Sequence, residues 1–531
     1  MAESATTLVD LMGRRVSADP DTPYFHLYDE TVTYGDLWQE SARYAAGLRK
    51  AGVDRGDKVC LIYPTCKEFF FTFFGALRLG AVPVPLYPTL GVEATANIFR
   101  DSEAKVVATI GWFRKGVEES QAGVSTMRHV LEPQDLEADA PVPAFPTASD
   151  SDTAFIQYTS GSTGSPRGVV LSHANVTQTV AFMAKAAQLT REDVVVSWLP
   201  LYHDMGLIGC AFTPPSIGSP LWLLPPDLKN PRTWLELVTR VKGTFTVSPD
   251  FGFRNCVRNI GDTSGIDLSS LKQALSGAEP VRLSTIEAFE KKFNVSNLIT
   301  PCYGLAEATL AVAIWPRKTP LRLDTSGKFL SVGPPCQGVS VRIMDEAGLV
   351  GPGVEGEICV KSPGVMQGYY KNPEATQRVL SADGWLRTGD LGFLDREGFL
   401  FISGRLKDLI ILGGGNLVPI DIEEIVDHVP GVRYSAAVGI ESERTGSQRL
   451  YVVAEVREGT DEVERLRSVV REIIQRVRRG SGHRPARVLL VKPGTIPKTS
   501  SGKIQRSRLG QMITQDELGD RIVHASGGHG S

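Results

Sequence analysis

The chain has 531 residues, 42% hydrophobic and 22% charged, with a formal net charge of −3. That length exceeds one hydrophobic core and predicts two to four domains or subdomains, and the near-neutral balance argues against a general nucleic-acid footprint. The seven cysteines are scattered without a Cys-x-x-Cys pair, which argues against a zinc site and for free thiols in a reducing compartment.

The N-terminus is polar and acidic, with no basic-then-apolar leader. The most apolar stretch, 69–79, is interrupted by Thr72, Gly75 and Arg78 and is shorter than the roughly 20 residues a membrane span needs. A cytoplasmic protein with no stable membrane insertion is the expectation. Residues 33–51 read as a helix: Thr33 and Asp36 form a capping-box pattern, Leu37, Tyr44, Ala45 and Leu48 recur at helical spacing, and Gly52 follows. Strands are predicted at 59–63, 81–85 and 106–110, with an apolar helix at 67–79. This alternation predicts parallel sheet with crossover helices. The proline- and alanine-rich stretch 141–150 reads as a linker.

Next comes Thr-Ser-Gly-Ser-Thr-Gly-Ser-Pro-Arg-Gly at 159–168, between apolar runs. Glycines let the backbone approach a ligand closely, and successive amides with hydroxyls form an anion-binding concavity. A polyphosphate loop and a flexible hairpin tip both fit; the loop lacks the Gly-Lys-Ser/Thr ending of a Walker A motif. A helix is expected over 172–189, with His173 at its start in a capping or packing role. A strand at 194–196 delivers Trp198-Leu-Pro-Leu-Tyr-His203-Asp204-Met-Gly206, where imidazole and carboxylate stand side by side. Polar turns recur at strand ends at Ser276-Gly-Ala-Glu-Pro280 and Cys302-Tyr-Gly-Leu-Ala-Glu307, where open α/β sheets place ligand sites.

From about 331 the texture becomes short strands separated by Gly, Pro and Asp turns, which predicts a small β subdomain containing Trp385-Leu-Arg-Thr-Gly-Asp390. After Gly404 it changes again, to a helix at 422–429, strands at 436–440, 450–455 and 488–491, and an amphipathic helix at 462–479. The buried face of that helix is expected to be Val463, Leu466, Val470, Ile473 and Val477. Its arginines read first as a solvated face complementing the helix C-terminus, with docking of an acidic partner as the second reading. The segment 497–503 reads as an exposed loop carrying two lysines, and the polar end from about 510 as disordered.

Taken in order, these motifs resemble the adenylate-forming superfamily of acyl-CoA synthetases, peptide-synthetase adenylation domains and luciferases, over roughly Tyr24 to Arg508. The likeness is closest to fatty acyl-AMP ligases, through Trp198–Gly209, Ser276–Val281, Tyr303–Leu310, Gly404–Ile410 and, more loosely, Ser248–Phe253. The resemblance implies a mixed α/β fold. Residues 1–404 would form a large N-terminal domain of αβ sheets with its β subdomain at about 331–404. Residues 405–509 would form a smaller, mobile α+β domain, and 510–531 a disordered tail.

The resemblance also assigns roles. Thr159, Ser160, Gly161, Ser162, Thr163 and Gly164 would hold the ATP phosphates, aided by Arg167, which stands where the family usually has lysine. Gly277, Ala278, Glu279, Tyr303 and Gly304 would line the adenine slot. Asp390 would bind the ribose hydroxyls, and Arg405 ribose or phosphate. Glu307 and Thr163 would help hold Mg²⁺, and His203 would sit beside the acyl carboxylate. Lys407 would be the hinge and Lys503 the catalytic lysine. Trp198, Phe251 and Phe253 are candidates for the acyl pocket. The implied reaction converts a fatty or related carboxylic acid and ATP to acyl-AMP and pyrophosphate. The acyl group then passes to the phosphopantetheine thiol of an acyl carrier protein, as in polyketide or lipopeptide biosynthesis. Fatty acyl-AMP ligases typically carry an insertion after the Tyr-Gly-Leu-Ala-Glu motif that is held responsible for refusing CoA. Here only residues 311–332 separate Leu310 from Gly333. That keeps an acyl-CoA synthetase open, alongside a non-catalytic acyl-adenylate or nucleotide binder.

Overall fold

The computed structural model describes residues 6–138, 148–159, 166–412, 415–441, 448–457, 462–498 and 504–526. Most of the expected linker, the phosphate-loop residues 160–164 and Lys503 therefore lie outside the described residues.

The first helix that sequence periodicity predicts runs Tyr34–Lys50, and Thr33 and Asp36 cap it reciprocally, with bonds of 3.0 and 2.9 Å. It packs against Lys67–Arg78, where Phe69, Phe70, Phe71, Phe73 and Phe74 are all buried. Burial of each ring contributes about 2 kcal/mol. Gly75 lets the two helices close: a Cβ there would sit 3.1 Å from Ser41 O and Ala45 N. Arg78 is tolerated in this core because its guanidinium lies 4.0 Å over the Trp38 ring and donates to Trp38 O and Ser41 Oγ.

Three sheets build the large unit. The largest has eight strands in the order Ala311–Ile314, Ile299–Gly304, Gln273–Ser276, Phe245–Ser248, Val195–Ser197, Leu221–Leu223, Pro23–Leu27 and Glu30–Thr33. Its interior pairs are parallel and its two edge strands antiparallel. A four-stranded parallel sheet holds Val82–Pro85, Lys58–Ile62, Val106–Thr109 and His129–Leu131. A three-stranded antiparallel sheet carries Thr153–Thr159 and Arg167–Ser172, with Gly368–Tyr369 at its edge. The β subdomain is a six-stranded antiparallel sheet from Ser331–Gly333 to Leu400–Arg405.

The C-terminal unit has its own buried clusters around a four-stranded sheet of Val432–Glu441, Gln448–Val456, Arg487–Val491 and Ile522–Ala525. Two expectations are corrected there. The end of the chain is ordered through Ser526: Arg506–Thr514 is a helix that buries Leu509 and Met512, and Ile522–Ala525 adds an antiparallel strand to Arg487–Val491. Its polar composition hid these few apolar contacts. In the helix Val463–Ser481, Val463 is 55% exposed and Val469 completes the buried stripe, because the first residue of the helix overhangs the sheet edge.

His173 opens the helix His173–Ala186, fully inside the core, and its Nδ1 accepts the Leu8 amide at 3.2 Å. Burial pushes its pKa down to about 4, so the native ring is neutral while the unfolded ring titrates near 6.5. The resulting stabilisation, on the order of 3 kcal/mol, is complete above pH 6.5 and is lost as pH falls toward 4. Thermal unfolding of the parent should therefore show a fall in Tm across pH 6.5 to 4 that His173→Gln lacks. Parallel profiles for the two proteins would remove His173 from the acid response.

Candidate active site

The C-terminal ends of the large sheet, the β subdomain and the C-terminal unit enclose one cleft of 1280 Å³. Thr159, Arg167, His203, Ala278, Glu279, Tyr303, Gly304, Glu307, Asp390, Arg405 and Lys407 all line it. These residues come from segments up to 248 positions apart in the chain.

Asp390 and Arg405 face each other on adjacent strands, Leu386–Leu394 and Leu400–Arg405. The buried Asp390 carboxylate accepts Arg405 Nε at 2.5 Å through one oxygen and Tyr303 OH at 2.6 Å through the other. Each oxygen keeps a lone pair, so the carboxylate can still accept two hydroxyls. Asp390 holds the Arg405 pKa above its ordinary value, and burial with the Asp390 charge raises that of Tyr303. At neutral pH the site therefore presents a cation, a carboxylate and a neutral phenol.

Tyr303 ends the strand Ile299–Gly304, and the chain then turns sharply. A Cβ on Gly304 would fall 1.6 Å from Leu310 O, so only glycine permits this turn. The turn presents Glu307 from the short 3₁₀ segment Ala306–Ala308. Thr309 then takes φ +65°, an unusual conformation for a β-branched residue, held by a 2.6 Å bond from its Oγ1 to Gly364 O. Glu307 Oε1 accepts Tyr369 OH at 2.8 Å, and the Arg167 guanidinium lies 5.3 Å over the Tyr369 ring. Tyr369 thus joins the phosphate hairpin to the Glu307 turn. Sequence reasoning missed it, because Gly368-Tyr369-Tyr370 lacks any local chemical signature.

Thr159 and Arg167 are the register partners next to residues 160–165 in the antiparallel pair Thr153–Thr159 and Arg167–Ser172. Ala278, in the turn after Gln273–Ser276, also takes positive φ, +65°. A Cβ on Gly277 would meet Cys302 Sγ at 2.6 Å, which keeps this turn close against the strand bearing Tyr303. Glu279 is raised in pKa by burial and by nearby Asp250, and its Oε1 accepts the Phe251 amide at 2.5 Å.

His203 follows the strand Val195–Ser197, and its Nδ1 lies 2.6 Å from Asp204 Oδ1. Nδ1 also receives the Met205 amide at 3.4 Å, so its contacts within the turn are taken up and Nε2 is the open nitrogen. Asp204 also accepts the Met205 amide at 2.7 Å, starting the π-helix Met205–Phe212. Gln157 Nε2 binds Tyr202 O at 2.9 Å, and a Cβ on Gly206 would meet Pro200 O at 2.2 Å. The wide helical turn is therefore locked next to the histidine, a placement typical of π-bulges.

Three expected acyl-pocket residues lie elsewhere. Trp198 and Phe253 are buried in a separate aromatic cluster with Trp234, and Phe251 packs edge-on against Trp198; none lines the cleft. Phe251 and Phe253 belong to the helix Asp250–Asn259 and Trp198 follows the strand Val195–Ser197, and their packing against one another and Trp234 is a tertiary contact hidden in a motif. The apolar lining comes instead from Met183, Gly209, Val247, Leu275, Leu310 and Ile314, among others.

Lys407 is exposed in the turn Leu406–Asp408, where the chain leaves the β subdomain for the C-terminal unit. Beside it, Asp408 accepts Arg506 at 3.1 Å, and Arg506 also forks onto buried Glu423 at 2.7 and 2.8 Å. Arg282–Asp427 at 3.1 Å and Lys328–Asp421 at 2.7 Å tie the two units together. The segment before Arg506 is closed at its base by the bridge Lys498↔Ile504 and by Gln505 N bonding Pro497 O at 2.9 Å.

One cleft joins the buried Asp390–Arg405 pair, Glu307 and His203 to an apolar lining, on the fold of an enzyme of the adenylate-forming class. The chain belongs to the AMP-binding enzyme family: that family's description matches residues 13–370, and the AMP-binding enzyme C-terminal domain matches 421–503. Among its relatives is the long-chain-fatty-acid–AMP ligase FadD26 of Mycobacterium marinum, 36% identical over 90% of this chain and 91% of the relative. Another is the medium-chain-fatty-acid–[acyl-carrier-protein] ligase JamA of Moorena producens, 31% identical over 90% and 89%. The fold superimposes on a solved structure from a study of fatty acyl-adenylate ligases of E. coli and L. pneumophila with a TM-score of 0.87, at 28% identity, covering 96% of this chain and 98% of that one. Among the described residues no helix is long and apolar enough to cross a membrane.

Proposed function

We propose that the protein is a fatty acyl-AMP ligase that adenylates a fatty acid with ATP and passes the acyl group to the phosphopantetheine thiol of an acyl carrier protein. The observation that carries this reading is the single cleft in which Asp390, Arg405, Glu307 and His203 meet an apolar lining.

In the first step a carboxylate oxygen attacks the α-phosphorus of ATP, and the bond to pyrophosphate breaks. Two anions must meet, so positioning and charge neutralisation supply most of the rate. Asp390 takes the ribose hydroxyls on its open lone pairs, and Arg405 faces the phosphates. Arg167 and residues 159–164 hold the leaving pyrophosphate, and the His203 ring sits beside the acyl carboxylate. Lys503 bridges the incoming and leaving oxygens. In the second step the thiol sulfur attacks the acyl carbon and AMP leaves, after the C-terminal unit turns about Lys407.

Mg²⁺ fits the residues present. It typically needs one or two protein carboxylates beside substrate phosphates, and Glu307 keeps one oxygen outside its bond to Tyr369. With Thr163, Glu307 would hold the ion, which neutralises phosphate charge when bound.

A second acceptor is favoured by one feature. Between the strands Ala311–Ile314 and Ser331–Gly333 the chain makes only a compact turn, bridged at Leu323↔Leu330, where an insertion held responsible for refusing CoA would stand. Offering CoA and holo carrier protein in parallel, with mass spectrometry of both products, separates the two. Acyl carrier protein with little acyl-CoA is expected; abundant acyl-CoA would establish the synthetase instead.

A further inference from the structure

The segment from Val463 to Arg487 carries eight arginines against two glutamates, in a chain whose net charge is −3. On the helix Val463–Ser481, Arg467, Arg471 and Arg478 share one exposed face, spaced four and seven residues apart and spanning roughly 16 Å. Only Arg478 and Arg479 occupy the last turn, where cations favour the helix dipole. Arg465, Arg467 and Arg471 stand in the first half, where the dipole does not reward them, and Arg467 and Arg471 are like charges four apart. Glu464 bonds Arg467 at 2.8 Å and Glu472 bonds Arg476 at 2.7 Å. Arg471, Arg478, Arg479 and, beyond the helix, Arg484 have no ion-pair partner among the described residues. Helix stability therefore does not account for this face.

We propose that the arginine face is a docking surface for an acidic protein, and that this protein is the carrier that supplies the acceptor thiol. The inference rests on the carrier reading above and deepens it. Charge complementarity selects the partner. The apolar stripe of the helix is consumed inside its own domain by Leu466, Val469, Val470, Ile473 and Val477, so no apolar face remains to enter a lipid surface. The net negative charge of the whole chain disfavours a nucleic-acid partner. Carried on the unit that bears Lys503, a docked carrier moves with that unit between the two half-reactions.

The test compares the full-length parent with the triple variant Arg467→Glu/Arg471→Glu/Arg478→Glu. Three readouts are pyrophosphate release, transfer to free pantetheine and transfer to a panel of acidic holo acyl carrier proteins. The variant should keep the first two within about twofold and lose roughly 10- to 100-fold in kcat/KM for the carrier. The parent's carrier reaction should slow steeply with added salt and the variant's should not. Unchanged carrier transfer in the variant overturns the docking surface while leaving the carrier reading intact. A parent that acylates CoA but no carrier overturns both. Binding of the parent to phosphatidylglycerol vesicles that the variant loses, with carrier transfer equal in the two, reassigns the face to lipid.

Discussion

Asp390→Ala is expected to raise the KM for ATP by roughly 100- to 10,000-fold, since the two charge-assisted bonds proposed to ribose, each worth about 1.5–3 kcal/mol, would be removed together. A second loss adds to this. Arg405 Nε and Tyr303 OH both donate to this carboxylate, and each is left facing the cleft without its acceptor. Asp390→Asn keeps the shape but removes the charge and exchanges one acceptor oxygen for a donor, so only one acceptor is left for Arg405, Tyr303 and the ribose hydroxyls together. The conservative variant should therefore recover little of the loss. Pyrophosphate release at varied ATP, together with the Tm of each variant, separates nucleotide binding from folding. An unaltered KM for ATP in both variants would refute the ribose role.

Lys503→Ala is expected to lower the rate of acyl-AMP formation by about 100- to 1000-fold, the scale found when one donor to a developing oxyanion is removed. ATP binding should survive, because the groups assigned to adenine, ribose and phosphate lie in the large unit and the β subdomain, ahead of the turn Leu406–Asp408. Among the described residues, Lys498 and Ile504 form an isolated bridge, and Arg506 binds Glu423 and, beside the hinge turn, Asp408. Acyl transfer from preformed acyl-AMP to the carrier should continue in the variant, since that step forms no bond to pyrophosphate. Normal acyl-AMP formation by Lys503→Ala would remove this residue from the mechanism.

The local structure was largely legible. The capping box at Thr33 and Asp36 and the helix at Lys67–Arg78 lie within one or two residues of where periodicity and turn chemistry put them, while the strand expected to end at Thr300 runs on to Gly304 and carries Tyr303. These features depend on neighbours a few positions away. The aromatic residues near the acid-binding motif were misplaced for the opposite reason. Whether Trp198 lines the cleft depends on its packing against Trp234, which is 36 positions distant. The ordered tail was missed because Leu509, Met512 and Ile522 are isolated in a polar stretch, and only the waiting edge of Arg487–Val491 gives them a partner.

By itself the sequence determined the family, the αβ organisation and the identity of the polar residues that point to adenylate chemistry, because each motif is a short run whose backbone and side-chain chemistry are set locally. Tertiary structure decided which of those runs share a cleft. It brought Asp390 to Tyr303 and Arg405, joined Arg167 to Glu307 through Tyr369, and turned Trp198 and Phe253 away from the site. Those outcomes are contacts between residues far apart in the chain, fixed by sheet order and packing, and no local pattern encodes them.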